Sequence, residues 1–484
     1  MKRVLLLSIV LLTACSNSVV ATTSETTATT TTTTTTTTET TRAAEFGAGR
    51  AEIEATLAAI GPILTLAEAN EVVDAVASGS ETDLIPYLHD IARVSDAQTF
   101  QRAMETISRI TGETAQSADF RSQSRFFGDW IMNNAPDPGP AYVGWKAELF
   151  ANIDSDFGPL IESVADPVTA ARLQWGGVLR GGIPELNDAE TISVAEAGYM
   201  LDDEVVFGAV VNGEARAYPV RILGHHELAN DTLGGEPVSL VYCTLCRTPV
   251  LYHRQVGERV LDFETSGLLL NSNKVMVDVQ TDSLWNQLTG EAFAGPLAGE
   301  TLDRLPFVVT TWAEWVAQHP GTDVQQVPTL GLDPDLARLN PTGGYSYEPG
   351  DAYADYYASS ELWFPAFEVP EDFAEKDEVV TLDYLGARLA VGLDALVDAR
   401  GFTTTVAGRP VVLLATEAGA RVYESVAGLE IEGDSVSVGD GGVEITEDAL
   451  LLPDGSELAR LVSGQSFWFA WYGNYPDTDW WPKR

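Results

Sequence analysis

The stretch Val238-Ser239-Leu240-Val241-Tyr242-Cys243-Thr244-Leu245-Cys246-Arg247-Thr248-Pro249-Val250-Leu251-Tyr252-His253 sets a Cys-x-x-Cys pair between two runs of strand texture. Val238, Leu240 and Tyr242 alternate with Ser239, Val241 and Cys243, which is the period of a strand, and the texture resumes after Pro249. The spacing predicts a strand-turn-strand knuckle. A thioredoxin-like site needs a helix running on from the second cysteine, whose first amides stabilise a thiolate. Pro249, three residues past Cys246, argues against such a helix.

Three chemistries suit such a pair. A structural disulfide forms readily between close cysteines outside the cytoplasm, and it would suit an extracytoplasmic ligand- or cell-wall-binding module. A metal knuckle would use both thiolates and take further ligands from imidazole or carboxylate, with zinc or copper as the fitting transition metals. A redox-active dithiol is the third. The chain has five histidines, and His225 and His226, followed by Glu227, lie just upstream of Cys243, with His253 just downstream of Cys246. His226 is therefore the candidate third metal ligand, or the base that takes a thiol proton, beside Cys243 as the exposed nucleophile or ligand and Cys246 as its partner. Capping of a strand or turn explains the same histidines without chemistry.

Around this stretch, Asn271, Asp278 and Trp285 fall in a segment that concentrates amides, hydroxyls and a carboxylate between apolar runs. With Glu227 they are candidate pocket residues, although turn chemistry uses the same residue types. The sequence holds no phosphate-cradling glycine loop, no nucleophile elbow and no pair of metalloprotease histidines.

Working outward, residues 44–165 read as a helical module, with Phe100, Met104, Ile107 and Ile110 at helical spacing. The glycines near Trp175 break that texture, and short runs rich in Val, Ile, Tyr and Phe follow, with Asn212-Gly213 predicting a tight hairpin. At a constant offset of 156 residues, Gly299, Leu302, Arg304, Leu305, Trp312, Trp315, Pro320, Thr322 and Asp323 match Gly455, Leu458, Arg460, Leu461, Trp468, Trp471, Pro476, Thr478 and Asp479. The predicted class is α+β: a helical module, then a β-rich core of two related units at 166–345 and 346–484. The second unit has no cysteine, and its equivalent turn falls at 416–419.

The N-terminus adds an address. Lys2-Arg3, an apolar run and Leu12-Thr13-Ala14-Cys15 have the order of a secretory signal at 1–14. The motif resembles the lipobox of bacterial lipoproteins, which implies a lipidated Cys15 and a membrane anchor without a transmembrane helix. The threonine-rich stretch within 15–43 reads as a stalk. The expected location is extracytoplasmic, at the cell surface or in the periplasm. A net charge of −43 argues against nucleic-acid partners, leaving a redox partner or small ligand.

From about residue 175 to the C-terminus the chain resembles the bacterial domain-of-unknown-function 3179 family. The resemblance rests on Gly213-Glu214-Ala215-Arg216-Ala217-Tyr218-Pro219, His226-Glu227, Asn230-Asp231, Tyr242-Cys243 with Cys246, Ser266-Gly267, Asn271, Asp278, Ser283-Leu284-Trp285 and Phe467-Trp468-Phe469-Ala470-Trp471. The family brings no established activity. Selenocysteine at the thiol motif in some members implies redox chemistry at the position of Cys243. Thr244 and Arg247 depart from the family's usual Cys-Pro-x-Cys-Gly form, and His225 stands where an aromatic is expected.

Overall fold

A computed structural model describes residues 69, 72–74, 76, 81–328, 345–350 and 352–483. The signal sequence, Cys15 and the threonine-rich stretch lie outside the described residues. Among the described residues no helix is long and apolar enough to cross a membrane. Helices dominate the N-terminal part, and the rest is β-rich, with several sheets joined by short helices.

The helical module starts its helices with side-chain caps. Asp96 accepts from the Thr99 amide at 2.8 Å, Asp119 from Ser122 at 2.9 Å, and Asp166 from Thr169 at 2.9 Å. Phe100, Met104 and Ile107 of the helix Ala97–Thr111 are buried and Ile110 packs against them, as their spacing requires. The same core takes in Leu268, Val275, Val277 and Leu284, so the module packs on a sheet. The strand Gln174–Trp175 at its end pairs antiparallel with Leu268 and Leu269 of that sheet.

One further sheet in each half follows a shared strand order. In the first half the order is Val308–Thr311, Val205–Val211, Glu214–Pro219, Asp323–Gln325, with Thr191–Ser193 as an extra edge strand beyond these four, and in the second it is Ser463–Phe467, Glu378–Tyr384, Ala387–Gly392, Asp479–Trp481. The last of these four strands is parallel to its neighbour in both. Asn212-Gly213 forms the predicted hairpin turn in the left-handed region, and Leu385-Gly386 does so in the second half. The indole N–H of Trp315 donates to Thr322 at 2.9 Å, and that of Trp471 donates to Thr478 at 3.0 Å. The shared tryptophans thus close the same turn in each half.

The halves interlock reciprocally. The Phe467 amide donates to the Cys246 carbonyl at 2.8 Å, and the Thr416 hydroxyl donates to the Val309 carbonyl at 2.7 Å. Each half's knuckle leans on the other half's strand. A buried ionic knot joins them again: Glu447 meets Arg421 at 2.7 Å, Arg460 at 3.3 Å and His319 at 3.4 Å, while Arg460 also donates to the Phe307 carbonyl at 2.9 Å. Burial alone would raise the Glu447 carboxyl, but the His319 hydrogen bond and the two guanidiniums outweigh it and hold the pKa at about 2. A depressed carboxylate contributes stability above its unfolded pKa of about 4.3 and loses it as pH falls towards the folded value. Thermal melting should therefore weaken between pH 4.3 and about 2, by up to about 3 kcal/mol. Glu447→Gln should flatten that acid limb and lower stability at pH 7; an unchanged acid limb would refute the assignment.

Candidate functional site

The knuckle forms where predicted. Strands Glu236–Cys243 and Thr248–His253 pair antiparallel, with Cys243 opposite Thr248 as the last pair before the turn. Leu240 and Tyr242 enter one apolar cluster while Val241 and Val250 enter another, so the hairpin is sandwiched and both faces are apolar. The turn closes by Cys246 N–H donating to the Cys243 carbonyl at 3.2 Å, with Arg247 in the left-handed region. No helix begins at either cysteine.

Both cysteines are free, with sulfurs 2.6 Å apart. Cys243 is 1 % exposed and Cys246 fully buried, which corrects the expectation that Cys243 is an exposed nucleophile. Cys243 donates to Cys246, and Cys246 in turn donates to the Ser272 carbonyl at 3.3 Å. The Asn273 amide reaches Cys246 Sγ at 3.2 Å. Burial pushes the Cys246 thiol well above its ordinary range; the neighbouring Cys243 adds to the shift and Asn273 opposes it.

A carboxylate and an ammonium flank it. Glu227 terminates the helix Val220–His226 in the left-handed region. Its carboxylate accepts from the Thr244 hydroxyl inside the Cys-x-x-Cys turn at 2.7 Å and pairs with Lys274 at 2.7 Å. Both partners of the ion pair are buried. Lys274 follows Asn273 at the start of the strand Asn273–Asp278.

A strap covers the turn. Tyr356 and Tyr357, on the short helix Ala354–Ala358, donate from their hydroxyls to the carbonyls of Leu245 at 3.0 Å and Thr244 at 2.8 Å. The Arg247 guanidinium lies 4.7 Å from the Tyr357 ring centre and pairs with Glu378. Lys376 holds the strap from behind through the carbonyls of Tyr356 and Ser359 at 2.6 and 2.8 Å. The helical module clamps the far side: Asp129 accepts from the Ala366 amide at 2.8 Å, Arg125 pairs with Glu375 at 2.7 Å, and Arg121 sits over Trp363.

The other candidates fall elsewhere. His226 Nδ1 donates to the Pro184 carbonyl at 2.7 Å, so Nε2 accepts from the Tyr347 hydroxyl at 2.5 Å. Burial lowers its pKa to about 4. Neither ring nitrogen bonds a sulfur. His253 pairs with Glu236 at the far end of the hairpin, about 16 Å along the strand from Cys243. Asp278 and Trp285 bond one another at 2.9 Å in a turn at the opposite end of the Lys274 strand, where Asp278 also takes the Thr281 and Ser283 amides. Asn271, at the tip of the hairpin beside Cys246, accepts from the Phe367 amide at 3.0 Å and so ties down the strap. Among the described residues no three His, Cys, Asp or Glu side chains come together as a group that could hold a metal ion.

Of the sequence candidates, the structure brings Cys243, Cys246 and Glu227 together, with Asn271 next to Ser272, whose carbonyl accepts from Cys246. It adds Thr244, Asn273, Lys274, Tyr356 and Tyr357. Lys274 carries the one signal in the sequence: it is one of five lysines in the chain and leads directly into the apolar residues Val275-Met276-Val277.

A family model described as a protein of unknown function, DUF3179, matches residues 180–478, more than half of the chain. No curated protein and no solved structure matches.

Proposed function

Since the chain belongs to the DUF3179 family, whose description assigns no activity, we propose from the site itself that it is an extracytoplasmic thiol–disulfide redox protein. Cys15 anchors it by lipid, the threonine-rich stretch spaces it from the membrane, and Cys243 and Cys246 form the couple. The observation that carries this reading is a pair of buried cysteines on one tight turn with their sulfurs in direct contact, placed to close a disulfide. The reaction is exchange with an external disulfide. Cys243 attacks one external sulfur and gives a mixed disulfide; Cys246 then attacks Cys243. Two external thiols leave with the two protons, and the protein keeps the disulfide. The thiolate-metal alternative lacks a third ligand of the usual kinds among the described residues.

The second reading is a structural disulfide, favoured by the near-complete burial of both sulfurs. The test uses the full chain carrying Cys15→Ser, which removes the lipid and leaves the pair as its only thiols. Equilibration in glutathione buffers followed by maleimide gel shift should show a reversible two-electron transition. A midpoint between about −300 and −120 mV supports the redox couple, and one below about −300 mV makes the bond a structural clip.

A further inference from the structure

We propose that the buried Glu227–Lys274 ion pair sets the reduction potential of the Cys243–Cys246 couple, with both residues acting as positioning residues through Thr244 and Asn273; this rests on the redox reading above. The geometry links the pair to the turn at both ends. The Glu227 carboxylate bonds the hydroxyl between the two cysteines at 2.7 Å, and Lys274 adjoins the residue whose amide touches Cys246 Sγ at 3.2 Å. All of these groups are buried, so their charges act through little intervening water.

The second half provides an internal contrast. Arg400 ends the equivalent helix Leu393–Ala399 in the same left-handed conformation as Glu227. The backbone geometry therefore belongs to the fold. The side chain does not: Arg400 is 44 % exposed and pairs with Asp434, whereas Glu227 is 9 % exposed and turned onto the knuckle. The equivalent turn at 416–419 carries no thiol. The buried carboxylate and its lysine accompany the cysteines and are missing where the cysteines are missing.

The sign of the effect follows from charge. In oxidation by an external disulfide, each thiol must give up its proton before its sulfur attacks, and the protons end on the two external thiols. A negative Glu227 near the sulfurs opposes the thiolates, and Lys274 offsets it. Removing the carboxylate leaves the ammonium alone, which favours the thiolate and so the reduced form at any pH where a thiolate is populated. Removing the ammonium does the reverse. The other acids around the turn, the phenols of Tyr353 and Tyr356, are held protonated by burial.

The experiment measures the glutathione equilibrium of the full Cys15→Ser chain against Glu227→Gln, Lys274→Met, the double variant and Thr244→Val. Glu227→Gln should stabilise the dithiol at least tenfold, about 30 mV less reducing. Lys274→Met should move the midpoint the opposite way, and the double variant should return to within threefold of the parent. Opposite signs distinguish electrostatic tuning from loosened packing, which would move both variants alike. Shifts below threefold, or of one sign, in variants with native circular dichroism overturn the proposal while leaving the couple standing. If Glu227→Gln does not fold, Thr244→Val decides: a shift of the Glu227→Gln sign supports the link and no shift overturns it. A parent whose pair never cycles overturns both this inference and the redox reading.

Discussion

Replacing Tyr356 with alanine should raise the rate at which iodoacetamide alkylates Cys243 at pH 8 by about a hundredfold, because that ring seals the thiols. Tyr356 is 1 % exposed, its hydroxyl bonds the Leu245 carbonyl at 3.0 Å, and Lys376 lies 3.4 Å from its ring centre. A buried thiol is alkylated only when the cover opens, so the rate follows the opening equilibrium. Truncating a buried aromatic costs about 3–5 kcal/mol, and about 2.7 kcal/mol of it spent on opening gives the factor of a hundred. Tyr356→Phe keeps the ring and loses one hydrogen bond, worth about 1 kcal/mol, so it should accelerate labelling less than tenfold. Peptide mapping in the Cys15→Ser background reads the outcome. Labelling of Tyr356→Ala within threefold of the parent, with the fold intact, would show that the strap is not the seal.

The largest loss of stability should come from Lys146→Met in the helical module. Lys146 is fully buried and bonds Asp90 at 3.1 Å and the Leu173 carbonyl at 2.7 Å. Tyr142 donates its hydroxyl to the same carboxylate. Methionine nearly preserves the volume, so the cost is electrostatic: Asp90 keeps its burial and loses its cation, a penalty of about 3–5 kcal/mol. Melting should fall by about 10 °C. Desolvation already raises Asp90 and lowers Lys146, each offset by the other, so neither charge is tolerated alone. The double variant Asp90→Asn, Lys146→Met removes both charges and should recover at least half of the loss. A single-variant loss below about 1 kcal/mol would mean that water reaches the pair.

These two sites are connected through the strap. Arg93, one turn from Asp90 on the helix Ile85–Val94, lies 5.8 Å from the Phe364 ring centre and donates to the Trp175 carbonyl at 2.7 Å. The helical module therefore does more than precede the β-rich region: it presses the strap onto the turn that holds the thiols. Loosening it with Lys146→Met should speed alkylation of Cys243 in proportion to the stability lost.

By itself the sequence determined the local structure. The alternation around Tyr242, the Pro249 stop and the Asn212-Gly213 pair are short-range signals, and the knuckle and hairpin follow from backbone preferences that act within a few residues. Trp315 and Trp471, matched at the offset of 156, each donate to a threonine seven residues on, which is again a contact within a single turn. What surrounds the sulfurs was decided only by the tertiary structure. His226 is near Cys243 in sequence yet bonds Pro184 and Tyr347, and Asp278 lies a strand's length from the residue that touches Cys246. Lys274 and Tyr356 reach the turn from 31 and 113 residues past Cys243. Proximity in the chain says little once strands run about 3.3 Å per residue away from a turn. The contacts that bury a thiol come from whichever distant segments the packing of the sheets brings across it.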